Sequence, residues 1–440
     1  MYKWLYPLLC YSFVPLYCAP SSLDDALKML QSGDAASASR LLLEISEREP
    51  RNEKVLNLLG IAQAELGRGE ASSQAFEGAL RINPDFLPAQ ENYGLVLFRA
   101  SRFPQAKQHL DRALQLGSTN PGAAFSYAVS CLRTGEATQG LERLRALESL
   151  FAKEPGYWEE RAFAEPDEAN LSRAVDLNPR SVRLLNAAAF AAAKAGDQDR
   201  AVALLLRAKK EAPADVPTLV HFGEICLRRN LASDALAALE TAHNLEPQNN
   251  MALYLLASAH LAVQDYAGAY ALFQDFTVRA PDYPVTWYVL GWVDLKLNRT
   301  AAARTHFEHS VHLAAHYADP LIELAQLDLI EGRLDAAEIR LTGVLADRPE
   351  NAKANLAMGD LLVRRNRAAD AEAFLEKAIA ADPKLAAAHY KLAMLLYRKQ
   401  ENARADMERA RAAELTAEAQ REGRTILKIA APAAGEIPSP

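Results

Sequence analysis

The chain has 440 residues, half of them hydrophobic, which is enough for several globular domains or for one long array of small units. Its formal net charge of −7 provides no basic surface of the kind that binds nucleic acid, so we do not predict a nucleic-acid partner. The four cysteines form no CxxC pair and no zinc-finger spacing with histidine, so neither a disulfide framework nor a zinc finger is predicted.

Residues 1–21, MYKWLYPLLCYSFVPLYCAPS, combine one early lysine with an apolar stretch from Leu5 to Ala19. The stretch is too short to span a bilayer, and Pro7 and Pro15 interrupt it. We therefore expect a signal peptide, and with it export to the periplasm or cell envelope of a bacterium. The protein would be cytoplasmic if this leader is not a signal peptide. No transmembrane segment is predicted after it.

Prolines recur every 34 residues, as at Pro179, Pro213, Pro247 and Pro281. A fixed period of this length is typical of an array of short structural repeats. The abundance of alanine, without long alternating Val/Ile runs, favours closely packed helices over strands.

Each period carries the same physical signals, illustrated by the unit that begins near residue 216. Gly223 is small enough to let a second helix approach closely. Seven residues later, Asn230 can adopt the left-handed conformation that ends a helix. Pro247 then stops the second helix, because proline cannot donate a backbone hydrogen bond. The unit is thus a helical hairpin that buries its apolar face only when stacked on neighbours.

These positions resemble the tetratricopeptide repeat, a helical repeat of 34 residues. The match is good in Leu56-Leu59-Gly60-Gly67-Phe76-Ala79-Pro84 and in Trp287-Leu290-Gly291-Ala303-Phe307. Eleven units begin near residues 19, 53, 87, 121, 182, 216, 250, 284, 318, 352 and 386. The resemblance implies an all-α fold, a right-handed α-solenoid (superhelix) of antiparallel helix pairs whose first helices line a concave groove.

The repeats predict N-terminal units over 22–154, a degenerate unit over 155–181, C-terminal units with a polar capping helix over 182–419, and a disordered tail over 420–440. In the degenerate unit Pro166 closes the first helix early. One interpretation is a repeat that locally changes the superhelical pitch. The other is a hinge or docking knob built from Tyr157, Trp158 and Phe163.

Four histidines occur in residues 306–316, HFEHSVHLAAH. Helical spacing places His309, His312 and His316 on the outer, solvent side of the second helix of their unit. They could bind a divalent metal weakly, but no carboxylate or cysteine completes a closed site, so a solvated face is the favoured interpretation. We predict no metal, no cofactor and no catalytic residue.

The resemblance also implies which side chains contact a ligand, because family members bind mostly through positions 2, 5, 9, 12 and 13 of the first helix. In this chain those positions give Tyr254, Ser258, Tyr288, Trp292, Lys296, Ile322, Gln326, Tyr390, Met394, Tyr397 and Arg398. Aromatic and cationic side chains are frequent binding hot spots. The alternative is that the aromatic residues only pack between helices.

We therefore expect a non-enzymatic scaffold that binds an unidentified peptide or protein segment in the groove. The alternative is an accessory subunit of a cell-envelope assembly or export complex for pili, polysaccharide or outer-membrane biogenesis. A catalytic domain is not expected, since the repeat register runs almost to the C-terminus. The Lys/Asn/Lys/Arg clamp of chaperone-binding family members is absent, since Lys54 and Asn57 are out of order and the next unit offers Glu91 and Asn92.

Overall fold

The structure, a computed structural model, describes residues 22–421. The predicted leader (1–21) and the predicted tail from residue 422 onward lie outside the described residues. The described part contains 24 α-helices and no strand. The chain divides between Ala191 and Ala192 into two units, called unit 1 and unit 2, which are described separately below.

Unit 1 begins with five helix pairs, and the division lies inside the eleventh helix. Its helices are α1 (Ser22–Gln31), α2 (Ala35–Arg48), α3 (Glu53–Glu65), α4 (Gly69–Ile82), α5 (Leu87–Arg99), α6 (Phe103–Gln115), α7 (Pro121–Arg133), α8 (Ala137–Ala146), α9 (Pro155–Ala164), α10 (Glu168–Leu177) and α11 (Val182–Lys194).

Unit 2 contains the remaining helices. They are α12 (Gln198–Glu211), α13 (Val216–Arg228), α14 (Ala232–Leu245), α15 (Asn250–Ala262), α16 (Tyr266–Arg279), α17 (Pro284–Lys296), α18 (Thr300–Leu313), α19 (Ala318–Ile330), α20 (Leu334–Asp347), α21 (Ala352–Arg364), α22 (Ala368–Ala381), α23 (Ala386–Arg398) and α24 (Asn402–Arg421). From residue 53 onward, first helices begin at every unit start that the repeat predicts, which confirms the all-α solenoid of helix pairs.

Within each described pair except α9–α10, the turn after the first helix uses a left-handed residue. The predicted Gly67, Asn230 and Asn298 have φ angles of 71°, 58° and 59°. The same turn position is also left-handed at Ser101 (57°) and Gln264 (62°), which sequence reasoning missed. Serine and glutamine carry no sequence signal for this conformation, because it is disfavoured for residues with a Cβ. The repeat geometry imposes it there.

In the degenerate unit, α9 has 10 residues and ends before Pro166, as predicted. Tyr157 is fully buried, and its hydroxyl donates to the Leu144 carbonyl at 2.9 Å. Trp158 is 8% exposed, and its indole N–H donates to the Ala152 carbonyl at 3.0 Å. These two rings are part of the core of unit 1, so the interpretation of an exposed aromatic knob is wrong for them.

Five helix pairs close on a contact between a glycine on the first helix and a large residue on the second. A Cβ added to Gly291 would lie 2.6 Å from the ring of Phe307. A Cβ added to Gly359 would lie 2.8 Å from the Leu375 side chain. Carbon atoms cannot approach this closely, so any larger side chain must push the two helices apart.

We predict that Gly291→Val destabilises unit 2 by about 2 kcal/mol, because its branched side chain overlaps the buried Phe307 ring. Gly343→Val is the matched control, since a Cβ there meets nothing within 4 Å and valine is a better helix former than glycine. Urea unfolding followed by circular dichroism measures both. Equal midpoints for the two variants would show that the close approach is not a constraint.

A buried carboxylate joins three helices of unit 2. Asp328 on α19 is 1% exposed and accepts hydrogen bonds from Arg304, Arg333 and Arg340 at 2.9, 2.9 and 3.0 Å. Burial alone would raise the pKa of Asp328, but these guanidinium groups outweigh it and hold the pKa below its ordinary value. This cluster connects α18, α19 and the start of α20.

The depressed pKa means that Asp328 stabilises the fold above its unfolded pKa and that this stability is lost as pH falls through the folded value, below about pH 4. We predict that Asp328→Asn lowers the free energy of unfolding by about 3 kcal/mol at neutral pH. The stability of this variant should also fall less steeply with decreasing pH than that of the unchanged chain. Asp335→Asn is the control, because its carboxylate pairs with Arg365 while 96% exposed. Melting curves from pH 7 to pH 3 measure both. If the melting temperature of Asp328→Asn fell with pH as steeply as that of the unchanged chain, Asp328 would not be the source of the stability lost in acid.

Candidate protein-binding surface

The first helices of unit 2 share one accessible face. On α17, α19, α21 and α23 it consists of side chains spaced by three or four residues, which fall on the same side of a helix. We call it the first-helix surface and define it by Trp292, Lys296, Asp319, Glu323, Gln326, Ile330, Lys353, Asp360, Arg364, Lys391, Met394 and Arg398, all of them at least partly exposed.

Ion pairs between neighbouring first helices show that the residues of α19, α21 and α23 lie on one continuous surface. Lys353 on α21 pairs with Asp319 on α19 at 3.1 Å. Lys391 on α23 pairs with Asp360 on α21 at 2.8 Å, and Arg364 lies 3.6 Å from the same carboxylate. Exposed pairs of this kind contribute little to stability, but they orient the side chains of adjacent helices.

The aromatic end of the surface is on α17. The ammonium group of Lys296 lies 4.7 Å from the centre of the Trp292 ring, which is a cation–π contact. Tyr266, at the start of α16, meets the same indole edge to face at 6.2 Å. Trp292 and Lys296, both predicted as ligand contacts, therefore touch each other, and Trp292 is half-buried while Lys296 is exposed.

Four of the predicted ligand contacts are buried instead. Tyr254, Ser258, Tyr288 and Ile322 are between 0 and 3% exposed. Tyr288 packs edge to face against Tyr317 at 5.5 Å, at the start of the next helix pair. Tyr254, Tyr288 and Ile322 are large residues at the fifth helix position. Ser258, at the ninth position, donates its hydroxyl hydrogen to the Tyr254 carbonyl at 2.9 Å. The structure therefore buries four of the predicted ligand contacts.

The remaining predicted residues lie on the accessible side of their helices. Gln326 and Arg398 are exposed, and Met394 and Tyr397 are half-buried. Tyr390, at the fifth position of α23, is 51% exposed, because within the described residues no helix pair follows to cover it. The Tyr397 hydroxyl donates to Asp406 of α24, so its hydrogen bond is internal.

Sequence reasoning missed Glu323 and Lys391, which occupy the sixth helix position. The signal available was a charged residue among the apolar neighbours of α19 and α23. Glu323 is half-buried, and burial raises the pKa of its carboxyl, with Lys353 offsetting the effect in part. Neither residue was considered because the family pattern assigns ligand contact to the fifth position.

The histidine face lies on α18 and the loop after it. His309, His312 and His316 are exposed. The His309 ring lies 4.2 Å from that of Trp287, and His316 hydrogen-bonds Asp347 at 2.7 Å. Among the residues that the structure describes, no group of three or more His, Cys, Asp or Glu side chains is arranged to hold a metal ion.

In unit 1, the polar residues compared above with the chaperone clamp form hydrogen bonds with residues of neighbouring helix pairs. The Asn92 amide donates to the Asn57 side-chain oxygen at 3.2 Å, and both side chains are buried. The Asn120 amide donates to Glu91 at 2.8 Å. Across residues 22–421, no helix combines the length and the apolar character needed to cross a membrane.

Sequence models of the tetratricopeptide repeat match four segments of the chain. One such model matches residues 25–85, 93–155 and 226–284, and a second matches residues 328–395. Together they cover more than half of the sequence and draw on both units.

Two curated relatives match parts of the chain. The tetratricopeptide repeat and J domain-containing co-chaperone DNJ1 of Cryptococcus neoformans is 23% identical over 52% of this chain and 41% of its own length. Cellulose synthase 2 operon protein C of Komagataeibacter xylinus is 25% identical over 69% of this chain and 24% of its own length. The chain thus spans less than half of the length of either relative.

Solved structures are also similar to parts or most of this chain. A tetratricopeptide repeat protein from Parabacteroides merdae is 18% identical and covers 57% of this chain and 99% of its own, with a TM-score of 0.49. Yeast Tom70 is 15% identical and covers 93% of this chain and 94% of its own, with a TM-score of 0.44. With the repeat models matching along most of its helix pairs, this chain belongs to the tetratricopeptide repeat family.

Proposed function

We propose that this protein is a non-enzymatic scaffold that reversibly binds a peptide or protein segment on the first-helix surface of unit 2. The observation that carries the proposal is the accessible apolar area amid the charges of that surface. Trp292 and Met394 are half-buried, and Ile330 is 73% exposed. Large apolar side chains flanked by charged ones are typical of binding sites, because they bury area while the charges select the partner.

Family membership supports the same function. Tetratricopeptide repeat arrays serve in general as non-catalytic scaffolds that bind protein partners. On the first helices of unit 2, the fifth position is buried at Tyr254, Tyr288 and Ile322, whereas the residues of the first-helix surface are at least partly exposed. The scaffold can therefore vary its ligand contacts without disturbing the contacts between pairs.

The test compares two double variants as bait for the protein's own cell extract. Trp292→Ala/Ile330→Ala removes apolar area from the first-helix surface. Val278→Ala/Ile339→Ala removes it from second helices, where both side chains are at least 75% exposed. We expect a specific partner to be retained by the control and depleted about thirtyfold with the first variant, since removal of a hot spot costs about 2 kcal/mol.

Both variants must keep the helicity and melting temperature of the unchanged chain. A partner captured equally by both double variants would place the binding site elsewhere and overturn the proposal. A partner lost only with Val278→Ala/Ile339→Ala would assign binding to the second helices.

A second candidate is an accessory subunit of an envelope assembly or export complex, with polysaccharide export the best supported of its forms. The similarity to Cellulose synthase 2 operon protein C over 69% of this chain favours it. So does the expectation of an exported protein from residues 1–21, which lie outside the described residues. Fractionation of bacterial cells that express the full chain tests it. Recovery in the envelope or periplasm is expected, and exclusive recovery in the cytoplasm would contradict it.

A further inference from the structure

We infer that the segment bound on the first-helix surface is acidic, with Asp or Glu side chains that pair with Lys296, Arg364 and Arg398. The pairing rests on the proposed function and specifies the chemistry of the partner. These three cations occupy the thirteenth position of α17, α21 and α23, and we call them the basic row. All three are exposed.

The basic row runs along the C-terminal ends of neighbouring first helices. The Arg364 guanidinium on α21 donates to the Leu329 carbonyl on α19 at 3.0 Å. The next residue, Ile330, holds the thirteenth position of α19 and is 73% exposed. The charge of Lys296 on α17 acts on the Glu323 carboxylate on α19, and the ion pairs described above join α21 to α23. The four thirteenth positions therefore follow one another across adjacent helices.

The first-helix surface carries more cations than carboxylates. Its five cations are Lys296, Lys353, Arg364, Lys391 and Arg398, and its three carboxylates are Asp319, Glu323 and Asp360. Lys353 and Lys391 pair with two of the carboxylates at 3.1 and 2.8 Å. Burial raises the pKa of the third, Glu323, and Lys353 and Lys296 offset this effect in part. The excess of positive charge lies in the basic row, since the thirteenth positions of these four helices include no carboxylate.

Two cations of the basic row lack a carboxylate on their own helix. Arg364 lies 3.6 Å from Asp360, which is four residues earlier on α21. Lys296 and Arg398 make no ion pair within residues 22–421, and the Lys296 ammonium lies 4.7 Å from the centre of the Trp292 ring. Lys296 and Arg398 are therefore the cations most open to a carboxylate of a partner.

The same two-residue arrangement occurs at both ends of the first-helix surface. Trp292 lies four residues before Lys296, and Met394 lies four residues before Arg398. Residues at this spacing are neighbours on a helix face. A partner carboxylate would pair with the cation, while a large apolar side chain beside it would pack on the ring or the thioether. This arrangement suits a segment in which acidic and apolar residues lie close together.

The geometry of the array sets the length of that segment. Three steps between first helices separate α17 from α23, at about 10 Å a step. An extended chain covers about 3.3 Å per residue, so about nine residues reach both ends. The chain as a whole has a formal net charge of −7, so an acidic peptide is repelled over long range and gains attraction near the basic row.

The experiment measures binding of three labelled dodecapeptides to the full chain by fluorescence anisotropy at about 0.15 M salt. They consist of four copies of Gly-Glu-Leu, Gly-Gln-Leu or Gly-Arg-Leu, with both ends blocked so that side chains supply all the charge. We expect the glutamate peptide to bind about tenfold more tightly than the glutamine peptide, and the arginine peptide not to bind.

Lys296→Gln/Arg398→Gln should weaken the glutamate peptide about tenfold and leave the glutamine peptide unchanged, because two charge pairs are lost. Arg348→Gln/Lys377→Gln is the matched control, since it removes the same charge from second helices. Arg348 follows α20, Lys377 on α22 lies 4.9 Å from the centre of the Phe374 ring, and both cations are exposed. Both double variants should keep the melting temperature, because exposed charges contribute little to stability.

The dependence on salt gives an independent readout. Raising the salt concentration from about 0.05 M to about 0.3 M should weaken the glutamate peptide, because salt screens exposed charges. Lys296→Gln/Arg398→Gln should flatten this dependence, and the glutamine peptide should not show it. Cations in the last turn of a helix also stabilise its dipole, but that role would leave peptide binding unchanged.

The inference is overturned if the glutamate peptide does not bind, or if it binds no more tightly than the glutamine peptide. Equal affinity of Lys296→Gln/Arg398→Gln and its control for the glutamate peptide would also overturn it. So would tighter binding of an oligothymidine of twelve nucleotides, which would assign the basic row to a polyanion.

Failure of the pairing can be distinguished from failure of the proposed function. If Trp292→Ala/Ile330→Ala weakens the glutamine peptide while Lys296→Gln/Arg398→Gln leaves the glutamate peptide unchanged, the surface binds segments without selecting acidic ones. If neither double variant changes the binding of any peptide or of a partner from the extract, the proposed function of this surface fails as well.

Discussion

The close approach of the two helices within each pair is the constraint on which the rest of the structure depends. The contact of Gly291 with the Phe307 ring brings α17 and α18 together with no room for a Cβ. Once each pair is closed in this way, its fifth helix position faces the following pair, and rings such as Tyr288 become buried there. The face left over, on the far side of the first helix, is the one that the proposed function assigns to a partner.

Most of the fold could be predicted from the sequence because its determinants are local and repeated. The spacing of small residues, turn residues and prolines located the helix pairs from residue 53 onward. The left-handed turns at Ser101 and Gln264 could not be predicted, since neither residue type favours that conformation. There the geometry of two closed helices determines the backbone, and the local sequence does not.

The candidate site was predicted less completely, for a physical reason. The family pattern names helix positions, but the depth of a side chain depends on its size and on the residue opposite it. Tyr254 and Tyr288 are large enough to reach the next pair, so they are buried. The pairing of Lys353 with Asp319 could not be predicted either, because the two residues are 34 residues apart in sequence.

The ion pair between Lys353 and Asp319 has a consequence for how a bound segment is oriented. The two residues occupy the same position in successive repeats, so identical repeats would place like charges side by side, and these would repel. At this position, the charge therefore differs between the two repeats. The surface begins with an indole at Trp292 and ends with a guanidinium at Arg398. The order of side chains along the first-helix surface therefore differs between its two directions. Such a surface can distinguish the N-to-C polarity of a bound segment, so a partner would bind in one orientation.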